Sequence, residues 1–499
     1  MTDFDRTAPV LVGVGEASGF DLESLWPSPT LLAGSAIKAA LADSGPAAAL
    51  ADMIDCIVAI RTFEDSGLSM GTGSPDNVPA AYALAGGISA DTFIYADVGG
   101  QSPQALVNEF AGAVQRGEYR AVVIAGAEAI GCVKRARKQG VELNWNDPSD
   151  AAFDNRMSGY PILSRAEIRH GIVSMPLAYS WIETARRARL ELDLDAYQAE
   201  MAQLWSAYSD KSLSRKHAHF AAAWDADALI AAGDGNYQIT EIYRRWMVAQ
   251  DAVDLGAALI VTTAGLAHDI GIAPEKMIWL TGAAEANEPP VSERANISGS
   301  DAQVFAVNAA LDQAGVTAAQ LGPVDVYSCF PCAVFAGIDT MAMPHRANGD
   351  YTLTGGLTFF GGPGNGYSLH AITAMVQALR SDGSKPGLIT ANGGVLTKQA
   401  VGVYSAKQPK FAWPGYPVQG FHNTPLPIGS APGGMGKIIT YSRPASKDGL
   451  GDAALLLEMA DGRRALAVCA AETIPQDTDL CGITVQVTAG EKRHSAALV

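Results

Sequence analysis

Residues 36–55, AIKAALADSGPAAALADMID, return at 306–325 as AVNAALDQAGVTAAQLGPVD. Leu41, Gly45 and Asp55 fall on Leu311, Gly315 and Asp325, each 270 positions further on. Both copies read as an alanine-rich helix closed by a glycine C-cap, followed by a β-branched strand (IDCIVAI, then VDVYSCF). A second echo follows in the same order. Gly99-Gly100 opens the helix QALVNEFAGAVQ and the strand AVVIAGAEA, while Gly361-Gly362 opens SLHAITAMVQAL and GLITANGG, at an offset of 262. Two echoes at nearly one offset indicate a duplicated half. Alternating strands and helices make each half a set of parallel βαβ units with right-handed crossovers.

Working outward, the segment between the copies differs in kind. It holds the basic clusters KRARK (134–138), RRAR (186–189) and RKHAH (215–219). ETARRARLEL and DAYQAEMAQLWSAY carry helical periodicity, so this is a helical insertion on the first half. The first half then closes on the apolar run DLGAALIVTT, residues 254–263. After residue 405 the chain becomes dense in Pro and Gly and reads as a linker. Beyond it GKIITYS, AALLLEM, RRALAVC and GITVQV read as short strands, with a hairpin signal at Asp461-Gly462. The expected division is a first half at 1–132 and 226–268, the insertion at 133–225, a second half at 269–405, a linker at 406–434, and a small all-β domain, an open barrel, at 435–499.

Bulk properties exclude several classes. A net charge of −17 argues against non-specific nucleic-acid binding, which needs a basic surface. No window approaches 18 uninterrupted apolar residues, so no membrane span is expected. Six sparse cysteines and a start without a charged-then-apolar signal region point to a reducing, cytoplasmic setting.

The glycine-rich stretch GVGEASG (13–19) follows a strand, but no helix starts within it to hold a pyrophosphate, so it reads as a loop. CFPC (329–332) lacks the further ligands that a zinc site needs, and reads as a pair of buried thiols. No metal site is expected. GxSxG is absent, which removes the common hydrolase elbow. Among the histidines His370 stands out, three residues after Tyr367 in GGPGNGYSLH and at the start of a helix.

The duplicated halves, the glycine turns and the order of these segments resemble the thiolase superfamily over residues 8 to about 405. The resemblance implies an α/β, five-layered αβαβα fold with four catalytic loops meeting at its centre. YSCFP, GGPGNGY and the appended β domain resemble in particular the type 1 thiolase-like proteins, whose extra domain is OB-like. In a working thiolase the first loop supplies a nucleophilic cysteine at a helix N-terminus; here that position is Gly99. The second motif reads YSCF, with Tyr327 and Cys329. The third reads GGP, with Gly362 in place of a histidine. The fourth reads ANGG, with Ala391 or Asn392 at the place of a second cysteine. Covalent Claisen chemistry needs a thiolate, an acid/base thiol and a histidine-centred oxyanion site, so conventional thiolase activity is not expected.

The resemblance still implies a cleft for an acyl-CoA, as substrate or ligand and with no tightly bound cofactor, and amides near Gly99 and Gly393 are candidates for an oxyanion hole. One reading is retro-aldol cleavage of a β-hydroxyacyl-CoA, as in steroid side-chain aldolases of the same superfamily, with Tyr327 and Tyr367 as acid/base groups and His370 beside them. The other is acyl-CoA binding without catalysis, in which Lys134, Arg135 and Arg186 of the insertion contact the CoA phosphates. Thiolase bodies usually dimerise through the strand after the nucleophile loop, which makes a homodimer the assembly the resemblance implies.

Overall fold

The computed structural model describes residues 4–159, 162–343, 346–409, 413–429 and 433–499. Parts of the linker, 410–412 and 430–432, thus lie outside the described residues.

Ten strands form one sheet in the order β5-β3-β2-β4-β6-β1-β7-β10-β9-β8. The first half supplies β1 (Pro9–Ser18), β2 (Ile54–Ala59), β3 (Thr92–Tyr95), β4 (Ala121–Ala129), β5 (Asp154–Asn155) and β6 (Asp254–Thr263). The second supplies β7 (Ile278–Asn287), β8 (Val324–Val326), β9 (Gly387–Gly393) and β10 (Lys398–Ser405). The halves join edge to edge through Val10–Trp279 and Leu11–Ile278, so the junction is only two residue pairs long. β6 coincides with the run DLGAALIVTT and pairs antiparallel with both β1 and β4. Its near-total burial explains why its sequence lacks alternation.

Between the half-sheets lie two central helices, Ser102–Gln115 and Tyr367–Ser381, each buried along most of its length. Pro29–Ser44 and Val78–Gly86 cover the first half, and Asp301–Ala314 and Pro331–Met341 cover the second. Gly45 and Gly315 cap the echoed helices with positive φ, 97° and 66°, where an L side chain is disfavoured. The resulting layers follow the expected five-layered plan.

The expectation of parallel βαβ units needs correction. β2, β3 and β4 run parallel, as do β8 and β9, but β1, β6, β7 and β10 are antiparallel to their neighbours. The second half also has no counterpart of β3 among the described residues. Among the described residues, the stretch between its helices 331–341 and 367–381 forms short helical turns at Asn348–Tyr351, Gly356–Phe359 and Gly364–Gly366.

The insertion contains the helices Met175–Arg189 and Leu194–Ser212. The C-terminal domain consists of β11 (Gly434–Ser442), the small ribbon β12–β13 (Ala445–Ser446 and Gly449–Leu450), β14 (Ala453–Met459), β15 (Arg464–Cys469), β16 (Thr484–Thr488) and β17 (Ser495–Leu498). It is a closed barrel, not an open one: β17, short and unnoticed in the sequence, seals it between β15 and β16. The Asp461-Gly462 turn joins β14 to β15 as expected. Trp181 fastens the barrel to the insertion. It is fully buried, its indole N–H donates to the Ala454 carbonyl at 3.0 Å, and its own carbonyl accepts from Thr440 Oγ1 at 2.6 Å. Among the described residues no helix is long and apolar enough to cross a membrane.

Candidate active site

The Gly99-Gly100 turn, YSCF, GGPGNGY and ANGG meet between the ends of the two central helices. Gly99 adopts φ +142°, a region open to glycine and strained for other residues. Gly393 lies beside it; a Cβ built on Gly393 would stand 3.4 Å from Gly99 Cα. The first and fourth loops are therefore neighbours at Gly99 and Gly393.

The space between them is filled. Side chains added at Gly99 or Gly393 would both overlap Gln101 Oε1. A Cβ on Gly100 would overlap the Tyr327 hydroxyl and stand 2.6 Å from the Asn392 carbonyl. The expected oxyanion donor is also occupied, because the Gly99 N–H donates to Asn365 Oδ1 at 3.1 Å. Asn365 is held in turn by its Nδ2 donating to the Arg61 carbonyl at 2.8 Å. The amide at Gly99 thus does not point into open space, and an oxyanion hole there would require Asn365 to leave.

Tyr327 and Tyr367 do come together. Their rings pack edge to face at 5.5 Å and 89°. The Tyr367 hydroxyl shares a hydrogen bond with Thr354 Oγ1 at 2.6 Å and donates to Asp325 Oδ1 at 3.3 Å. Burial pushes both phenols above the ordinary tyrosine range. It also raises the Asp325 carboxyl to about 7, against bonds from Leu353 N–H, Thr352 and Tyr367 that favour ionisation.

Behind them sits a residue the sequence did not single out. Tyr179, from the insertion, stacks on Phe330 at 4.1 Å and donates to the Gly394 carbonyl at 2.8 Å. Asn392 Nδ2 donates to its hydroxyl at 2.9 Å. The Cys329 thiol lies 3.3 Å from the same hydroxyl, and burial pushes it up to about 12. Burial raises the Cys332 thiol as well, and its N–H donates to Glu183. Both thiols are free and buried, and neither has the lowered pKa of a nucleophile.

The other candidates sit elsewhere. His370 is turned toward β1, where Nδ1 meets Glu16 Oε1 at 2.7 Å. Arg215 and His217 flank the same carboxylate at 3.1 and 3.5 Å. Burial lowers the His370 pKa; burial would raise Glu16, but bonds from His217 and His370 and the Arg215 charge hold it well below the carboxylate range. His370 therefore belongs to a buried charge cluster and is not bonded to the tyrosine pair. Gly362 donates to the Gln250 carbonyl and packs on Leu357. Arg186 is corrected outright as a phosphate ligand. It is buried, sits 3.9 Å over the Phe335 ring and pairs with Glu200 and Asp339. Lys134 and Arg135 remain half-exposed, paired with Asp251 and Asp254 at 2.7 Å each. Among the described residues no group of three or more His, Cys, Asp or Glu side chains is arranged to hold a metal ion.

Glu128, at the end of β4, supports the third loop. It accepts from the Phe63 N–H at 2.7 Å, and Gly364, at φ +54°, passes so close that a Cβ would overlap the carboxylate. Burial raises this carboxyl to about 8. The folded state then holds a proton that the unfolded chain releases in the ordinary carboxylate range. Unfolding releases that proton between about pH 5 and 8, so stability falls as pH rises through this window. Glu128→Gln is expected to remove this contribution, on the order of 2–4 kcal/mol at pH 8. The check is the urea midpoint at pH 5 and 8; equal pH slopes in both proteins would contradict it.

No protein-family model and no curated protein matches the chain. Solved structures do. The fold is similar to a dimeric peroxisomal thiolase of Saccharomyces cerevisiae (TM-score 0.58, 12% identity) and to the Ltp2-ChsH2(DUF35) aldolase (TM-score 0.57, 18% identity). Each covers 81% of this chain and 99% of its own. The duplicated body thus has a thiolase-like fold. A monomeric SCP2-thiolase-like protein type 1 from Mycobacterium smegmatis is similar over 100% of both chains, with TM-score 0.82 and 30% identity. The chain belongs to the type 1 SCP2-thiolase-like proteins.

Proposed function

We propose that the protein binds acyl thioesters of CoA and performs no covalent thiolase chemistry. One observation supports this above all: the place of the nucleophile is a φ +142° glycine whose side-chain space is filled by Gln101. Acyl transfer through an enzyme thioester has no sulfur there to use, and the Cys329 thiol beside Asn392 is buried and raised to about 12. In this reading Lys134 and Arg135 exchange their carboxylate partners for CoA phosphates.

The expected result with acetyl-CoA and acetoacetyl-CoA is calorimetric binding, an unchanged intact mass and thiolysis no faster than buffer. Double replacement of Lys134 and Arg135 by Ala is expected to weaken CoA binding severalfold. An acyl adduct, or thiolysis lost on Cys329→Ser, would overturn the non-covalent reading. Absence of binding heat would remove CoA.

A second reading, retro-aldol cleavage, is favoured by the Tyr327 hydroxyl standing over Gly100 and by the Tyr367–Asp325 bond. Cleavage of a 3-hydroxyacyl-CoA needs an acid/base group and no nucleophile. Any such turnover is expected to fall by about 10²-fold or more in Tyr327→Phe. Turnover that survives Tyr327→Phe and Tyr367→Phe together would exclude these groups.

A further inference from the structure

Two adjoining hollows of about 390 Å³ each lie between the first central helix and the linker. They share Asp97, Gln101, Ala105, Glu285 and Gln419, and so form one trough. Linker residues 415–422 contribute its far wall. That wall is anchored: Val418 N–H donates to the Ala283 carbonyl at 2.8 Å, Glu285 N–H donates to the Val418 carbonyl at 2.9 Å, and Arg116 holds the Gly415 carbonyl at 2.9 Å.

The trough's cations each have a carboxylate partner, while Glu285 is met only by the Asn108 and Gln419 amides and burial raises its carboxyl to about 7. Lys398 pairs with Asp97 at 3.1 Å, Arg156 with Glu109 and Asp154 at 3.0 and 2.7 Å, and Arg116 with Glu118 at 2.6 Å. Such walls offer hydrogen bonds to a neutral polar chain and no surplus cation for a phosphate.

Gln101 connects this trough to the crevice. It lines both hollows, while its Oε1 occupies the space between Gly99 and Gly393. That oxygen is buried without a hydrogen-bond partner. A buried amide oxygen left unmet is unfavourable, so withdrawing it from the crevice sacrifices no bond at that atom.

We propose that the trough is an acyl-binding site gated by Gln101: a neutral acyl chain bearing hydroxyl or amide groups lies along it and reaches the Gly99–Gly393 crevice when the Gln101 side chain swings out. This rests on the thioester reading above, and the tests separate the two.

Access is read by thiol labelling, since five native cysteines are buried and the sixth, Cys481, is removed as Cys481→Ser. In that background Gln101→Cys is expected to react with iodoacetamide like an exposed thiol, and at least tenfold more slowly once Ala105→Trp fills the trough. Gly99→Cys is expected to react at least tenfold faster when Gln101→Ala is added. An unchanged rate in either pair overturns the proposal. Should Gly99→Cys not fold, hydrogen exchange over residues 98–102 in wild type and Gln101→Ala replaces it; at least tenfold faster exchange is expected, and equal rates overturn the gate. The ligand arm uses 3-hydroxybutyryl-N-acetylcysteamine, a thioester with no nucleotide, observed by saturation-transfer NMR. Binding lost in Ala105→Trp supports the site, and binding indifferent to that change overturns it. No binding to wild type overturns the acyl assignment, the CoA calorimetry above judges the thioester reading, and the labelling rates judge the trough and gate alone.

Discussion

Trp181→Ala is expected to destabilise the protein by about 3–5 kcal/mol, the range for emptying a buried tryptophan site. The indole is fully buried at the contact between the insertion and the barrel, and its N–H bond to Ala454 is lost with it. The Ala454 carbonyl is then left without that donor, which adds to the loss. Because Thr440 bonds the backbone carbonyl of residue 181, that contact survives the substitution. The damage therefore concentrates on the side-chain interface. Urea unfolding is expected to show a lower midpoint, and limited proteolysis to cut the linker sooner as the barrel loosens. A midpoint within about 1 kcal/mol of wild type would show that the barrel does not depend on this anchor.

Glu183→Ala is the second large effect, also about 3–5 kcal/mol. Glu183 is fully buried and receives three donors: Tyr197 OH at 2.5 Å, Tyr243 OH at 2.6 Å and the Cys332 N–H at 2.9 Å. Burial raises its pKa, while the two tyrosine bonds and the Arg186 charge oppose that rise. Truncation strands all three donors where water cannot reach them. Glu183→Gln keeps one acceptor oxygen but turns an NH2 group toward a donor, so it is expected to fall between wild type and Glu183→Ala. Thermal and denaturant unfolding of both variants give the check; equal losses in Gln and Ala would mean that packing, not hydrogen bonding, dominates. Since the Cys332 N–H starts the helix behind the YSCF loop, the same variants are expected to loosen Tyr327.

Much of the architecture was legible in the sequence because it is local. The echoed glycine caps, the apolar run that becomes β6, and the Asp-Gly hairpin each follow from a few adjacent residues. The missing counterpart of β3 was not legible, because the second half replaces a strand with turns fixed by distant groups, such as Thr352 bonding Asp325. β17 escaped because SAAL carries almost no strand signal and is specified by the barrel around it.

The site divided in the same way. Position in the motifs placed Gly99, Gly393, Tyr327 and Tyr367 together. What fills the crevice was hidden: Gln101 and Asn365 sit in or beside the marked glycine turns, but they and Tyr179 matter through contacts with residues hundreds of positions away. Arg186 misled for the converse reason. A basic cluster on a helix gives no sign of which guanidinium faces inward.

The short strand β5 has a consequence for assembly. It pairs with Ile94 and Tyr95 along the outer side of β3, and the Arg156 N–H bonds the Tyr95 carbonyl at 2.9 Å. The backbone that a second molecule would grasp to continue the sheet is already spoken for by this chain's own insertion. Self-capping of this kind makes an internal seam at Ile94 and Tyr95, where the central layer continues into this chain's own insertion.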